Sequence, residues 1–126
     1  MKYFASLFLC CAATLSAQTV IPTEFPDDVA PLSADALRDR LAGKVFGAKM
    51  ADGGNWRYEF KSNGYFYLDA SGGYRDTGKW RTEDGKACTE MQKTGASCSE
   101  VRAKGDVLHL KLKRASNGEV VGLTVR

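Results

Sequence analysis

The residues able to do chemistry are few, and their spacing excludes more than it offers. Cys88 and Cys98 flank the segment Thr89 to Ser97. This is neither the C-x-x-C of a redox motif nor a zinc ligand pair. An even pair in an exported chain reads as a disulfide. In the chain-entropy account, closing so short a loop stabilises the fold by about 2.8 kcal/mol. His109 is the one histidine, set between Leu108 and Leu110. With no second imidazole and water expected on its side of a strand, it predicts neither a metal site nor a catalytic base. Ser97 and Ser99 have no triad partner in view, and there is no nucleophile elbow, Walker loop or dinucleotide fingerprint. The run Asp69 to Asp76, DASGGYRD, lacks the ligand spacing and closing glutamate of an EF-hand and reads as a glycine turn. Carboxylate pairs catalyse glycoside hydrolysis without histidine, but only when about 5–10 Å apart. Asp69, Asp76, Glu90 and Glu100 are the acids to check for that. The sequence therefore predicts no enzyme, no cofactor and no metal.

Binding chemistry is richer. Asn55 to Arg81, NWRYEFKSNGYFYLDASGGYRDTGKWR, carries both tryptophans. Trp56, Tyr58 and Phe60 alternate with Arg57, Glu59 and Lys61, the period of a strand with one dry and one wet face. Asn63-Gly64 predicts a tight hairpin, because both residues accept positive φ cheaply. On the next strand Phe66 and Leu68 face inward, leaving Tyr65, Tyr67 and Asp69 outside. Trp56, Tyr58, Phe60, Phe66, Leu68 and Trp80 then either line a ligand cavity or fill the core, and their bulk favours a filled core. Tyr65 and Tyr67 form a candidate protein-contact surface. Tyr74, Gly78 and Trp80 share a face with Asp76, a carboxylate expected at the rim because an unpaired buried charge is costly. Gly78 allows a sharp bend or close approach.

These residues need a framework of strands. From Lys44 onward there is no proline, and glycine-containing turns recur about every ten residues. The strands predicted are Val45–Met50, Asn55–Lys61, Tyr65–Ala70, Tyr74–Arg81, Ala87–Met91, Cys98–Ala103, Val107–Lys113 and Val120–Val125, with the last turn at Ser116-Asn117-Gly118. Connections this short join antiparallel neighbours. Closing the meander removes its exposed edges. The fold class is mainly β: an eight-stranded antiparallel up-and-down barrel with one short N-terminal helix, a β-sandwich being the alternative. Leu108, Leu110 and Leu112, then Val121, Leu123 and Val125, supply dry faces. The helix, residues 33–42, begins at the N-cap Ser33, has Asp35 in its first turn and closes at Gly43. Leu32 and Leu37 occupy staple positions, and Leu41 shares a face with Leu37.

The start, MKYFASLFLCCAATLSA, reads as a signal peptide, residues 1–17: Lys2, an apolar run too short to span a bilayer, then small residues. Cys10 and Cys11 fall inside that run, without the small-residue box of a lipoprotein. Residues 18–32 hold all three prolines and form an extended leader, free to reach a partner, with Val20, Ile21 and Phe25 able to tuck against the domain. Residues 33–126 are the single barrel domain. The expected address is periplasmic or secreted, with no stable membrane span after cleavage. A net charge of +3, one unit of it from Lys2, is too small to imply nucleic acid or another polyanion.

With the signal segment, the short helix, the glycine-turned hairpins, Gly78-Lys79-Trp80 and Asp84-Gly85-Lys86-Ala87-Cys88 to Cys98, the chain resembles small exported bacterial single-disulfide β-barrel domains of unknown function. In style it is similar to lipocalins and to barrel-type inhibitors of secreted metalloproteases. It departs from lipocalins in carrying G-x-W on its fourth strand, not its first. The resemblance implies a non-enzymatic binding or interaction module of the cell envelope. Its partner is an unknown envelope protein; the alternatives are a small apolar ligand carried inside the barrel, or a secreted hydrolase that it inhibits.

Overall fold

The computed structural model describes residues 22–113 and 118–126. The predicted signal segment and the Ser116-Asn117 part of the last turn lie outside the described residues. The strands are β1 (Ala30–Pro31), β2 (Lys44–Lys49), β3 (Asn55–Phe60), β4 (Tyr65–Asp69), β5 (Arg75–Glu83), β6 (Lys86–Met91), β7 (Gly95–Lys104), β8 (Val107–Leu112) and β9 (Glu119–Val125), with one helix, α1 (Ala34–Leu41). Strands β2 to β9 pair each with the next, all antiparallel, and β9 returns to β2, so eight strands close a barrel. A sandwich is excluded by that continuous ring. The β2–β9 seam is short, with only Phe46 opposite Val125 and Gly47 opposite Thr124.

Period-two alternation sorts the wall as physics requires. Tyr58 pairs with Phe46 on one side and Leu68 on the other, all pointing inward. The core holds Phe46, Tyr58, Phe60, Phe66, Val101, Leu108, Leu110, Val121 and Leu123. Phe60 is its hub, with ring centroids 5.9 Å from Phe46, 4.9 Å from Phe66 and 5.3 Å from Trp80. Edge-to-face and tilted geometries place ring edges on ring faces and add to the burial of apolar area.

The helix closes one end of the barrel. Ser33 caps it, its Oγ accepting from the Ala36 N–H at 3.2 Å. Eight residues are too few for a helix stable alone. It is held instead by Leu37 and Leu41, both wholly buried, and by its ties to the β5–β6 turn. The Ala34 N–H donates to Asp84 Oδ1 at 2.9 Å, and Thr82 Oγ1 donates to the Ala34 carbonyl at 2.7 Å.

The tight hairpin expected at Asn63-Gly64 forms. In the β3–β4 hairpin only Gly64 has positive φ, 89°, and Asn63 does not. The Lys61 N–H bonds the Tyr65 carbonyl at 2.9 Å and the Gly64 N–H bonds the Lys61 carbonyl at 3.0 Å. Asn63 serves by its side chain, Oδ1 accepting from the Tyr65 N–H at 3.2 Å, so the turn needs one left-handed residue, not two.

One expectation needs correction: the described part of the leader is not free. The Pro22 carbonyl accepts from the Val120 N–H at 2.9 Å, on the side of β9 away from β8. The Phe25 ring lies 4.3 Å from the Arg102 guanidinium. Ala30 and Pro31 then pair with Ala103 and Arg102, where β7 has run past the end of β6. Val120 points away from the barrel interior by alternation with Val121, yet it is buried. The leader supplies the partners that an exposed β7 edge and a short seam would lack.

Candidate functional site

The barrel is packed at its helix end and open at the other. The open mouth is framed by the β2–β3, β4–β5 and β6–β7 turns and the end of β8. There lies a cleft of about 630 Å³ lined by Asp52, Trp56, Leu68, Ala70, Ser71, Tyr74, Thr94, Ser97, Ser99, Leu112 and Lys113. It exceeds the grooves on the outer wall, of about 480 and 560 Å³.

The mouth follows from where bulk runs out along each strand. On β3 the inward residues pass from Phe60 through Tyr58 to Trp56, and on β4 from Phe66 to Leu68. On β7 they pass from Val101 to Ser99 and Ser97. Ser97 lies opposite Thr89 and Ser99 opposite Ala87, both inward on β6. Trading an aliphatic side chain for two serines on one wall leaves space that the opposite wall's aromatics do not fill.

Of the residues expected to line an interior site, only Trp56 and Leu68 reach the cleft. Tyr58, Phe60 and Phe66 lie in the closed core. Trp80 is partly buried against Phe60, and its Nε1 donates to the Lys61 carbonyl at 2.8 Å. Ser97, Ser99, Tyr74 and Leu112 join the site. Ser97 and Ser99 are legible in principle, because they share strand parity with Val101, although neither has a triad partner to draw attention to it.

Asp76 is not at an exposed rim. It is 4% exposed and faces inward below the mouth. Its Oδ1 accepts from the Thr77 N–H at 2.8 Å and from the Lys93 N–H at 3.2 Å. The carboxylate thereby holds the β6–β7 turn that carries Thr94. Gly78, on the same face, packs against the β6 backbone. A Cβ there would overlap the Glu90 carbonyl oxygen and stand 2.9 Å from Met91 Cα.

Asp69 is on the outer face, 3.0 Å from Arg75 and 3.5 Å from Arg57, whereas Asp76 faces inward. Glu90 and Glu100 are both outside, separated along the sheet by the Cys88–Cys98 row. His109 is on the outer face, opposite Arg102 and Gly122.

Cys88 and Cys98 form the disulfide. They are directly opposed on β6 and β7 with Cα atoms 4.0 Å apart. Cys98 is thus not at the start of its strand, as expected, but inside a ten-residue one. The bond staples the outer surface of the wall whose inner surface carries Ser97 and Ser99. The Glu83 carboxylate lies within 4.8 Å of both sulfurs. Sulfurs bonded to each other are not thiolates, so this trio is no metal site while the disulfide stands.

On the opposite outer wall Tyr65 and Tyr67 are 48% and 37% exposed. Lys61 Nζ sits 5.0 Å over the Tyr67 ring, and Arg57, Glu59, Asp69 and Arg75 form a charge ladder beside them. Among the described residues no helix is long and apolar enough to cross a membrane. Compared with family models, curated proteins and solved structures, the chain matches none.

Proposed function

We propose that this protein is an exported, non-catalytic binding module that takes a small ligand into the mouth of its barrel. The observation that carries the reading is the division of the interior. The helix end is filled by Phe46, Phe60, Phe66, Leu37 and Leu41, while the mouth keeps a cleft of about 630 Å³, within the range of small-molecule sites. A rigid plug at one end with a preformed cleft at the other lets a ligand bind without the ordering cost of a mobile site. The carrier alternative suggested by the lipocalin-like style is favoured in this restricted form, with a ligand held at the mouth and not in the centre.

A second reading keeps the Tyr65–Tyr67 face as the contact surface for another envelope protein. Its support is the exposure of two adjacent tyrosines on a rigid strand. The inhibitor variant, which needs a free N-terminal arm, draws no support from residues 22–31, which are tied to β7 and β9.

The test is NMR mapping with small probes: neutral sugars, aromatic acids and alkyl carboxylates. The mouth reading expects shifts at Trp56, Leu68, Ser97 and Leu112, lost in Trp56→Ala. If no probe moves these residues, the mouth is not the site. In that event, capture of an envelope protein that fails with Tyr65→Ala/Tyr67→Ala would move the function to the outer wall.

A further inference from the structure

The lining of the mouth selects among ligand classes. One wall is apolar and aromatic: Trp56 from β3, Leu68 and Ala70 at the end of β4, and Tyr74 before β5. The facing wall is hydroxylated: Thr94, Ser97 and Ser99. In the ring order β3 and β7 stand across the barrel from one another, so a ligand in the cleft touches both walls at once. At the rim Ser71 adds a fourth hydroxyl, with Asp52 and Lys113 beside it.

None of these four hydroxyls takes part in a hydrogen bond among the described residues. Hydroxyls open to solvent exchange hydrogen bonds with water, which a ligand must replace. A pure hydrocarbon would strip that water and return nothing, which penalises an acyl chain. A strongly charged ligand is no better suited. Among the described residues the cleft brings one carboxylate and one ammonium, of opposite sign, and a charged group gains little from Trp56, Leu68 and Leu112. Asp52 Oδ1 is engaged by the Gly54 N–H at 2.8 Å, which fixes the carboxylate and leaves Oδ2 to accept from a ligand.

A sugar ring meets all of these demands. Its axial C–H bonds form an apolar face that stacks on an aromatic ring, and its equatorial hydroxyls both donate and accept along the edge. Building on the mouth-binding reading, we infer that the ligand is a neutral saccharide, stacked on Trp56 and hydrogen-bonded by Ser97, Ser99 and Asp52. Tyr74 stands at the rim, with Lys93 Nζ 5.0 Å over its ring.

The experiment titrates the purified protein, disulfide intact, with a panel of neutral mono- and disaccharides and separately with decanoate, following amide and indole N–H resonances. Saccharides are expected to shift the Trp56 indole and the Ser97 and Ser99 amides at millimolar concentration, leaving the Trp80 indole unmoved; decanoate should leave the mouth unshifted. Ser97→Ala/Ser99→Ala, placed on the cleft surface and not in the core, should weaken the saccharide by about tenfold, near the worth of one or two net hydrogen bonds. Trp56→Ala should abolish binding, and a dispersed spectrum of each variant shows that it is folded. If decanoate shifts the mouth and no sugar does, the saccharide inference is overturned while mouth binding stands. If neither does, and aromatic acids also fail, both are overturned. Saccharide affinity unchanged by the serine pair would overturn the role given to the hydroxyl wall.

Discussion

Asp76 offers a test in which even the sign of the effect is informative. A buried carboxylate with no partner destabilises a fold, and removing it would stabilise the protein. The structure places Asp76 otherwise, accepting from two backbone N–H groups, Thr77 at 2.8 Å and Lys93 at 3.2 Å. A hydrogen bond to a charged group contributes about 1.5–3 kcal/mol, and the longer one belongs at the lower end. Asp76→Ala removes the charged acceptor of two part-buried N–H groups and should cost about 2–4 kcal/mol. Asp76→Asn keeps an oxygen in place but loses the charge, and should cost about 1 kcal/mol. For a domain of this size the alanine variant would lower Tm by roughly 8–16 °C. Urea unfolding followed by tryptophan fluorescence gives the difference directly, provided the slope is unchanged. Because Asp76 holds the turn carrying Thr94, a ligand of the mouth should also bind Asp76→Ala more weakly. An alanine variant as stable as the parent, or more so, would refute the assignment of Asp76 as a structural acceptor.

Gly78→Ala should destabilise by about 3 kcal/mol or more, because the new Cβ meets the fixed Glu90 carbonyl and not a side chain that can rotate away; a midpoint within error of the parent in urea would contradict that close approach. Cys88→Ala/Cys98→Ala should cost about 2.8 kcal/mol, and intact mass under non-reducing conditions should fall two hydrogens below that of the reduced protein; free thiols in exported material would contradict the pairing.

Much of the framework was legible because it rests on local rules. Strand period, glycine-containing turns and the Ser33 cap depend on neighbours in sequence, and the strands expected near Val45, Asn55, Tyr65, Tyr74, Ala87, Val107 and Val120 lie within a residue or two of those observed. Alternation alone placed Phe66 and Leu68 inside and Tyr65 and Tyr67 outside, because a strand has only two faces. Cys98 was placed at a strand start because the small residues Gly95 to Ser97 carry little strand propensity; pairing with β6 across the disulfide row overrides that preference.

The site itself depended on the tertiary structure. Nothing local to Ser97 or Ser99 says that Trp56 faces them, since that follows from ring closure between strands far apart in sequence. The burial of Asp76 depends on the Lys93 N–H, supplied by another hairpin. The anchoring of residues 22–31 depends on β7 outrunning β6 and on a short β2–β9 seam. Composition and spacing determine which elements form and which face of each is dry. Whether the dry interior is full or open is a sum of side-chain volumes around a closed ring, and only the assembled barrel performs that sum.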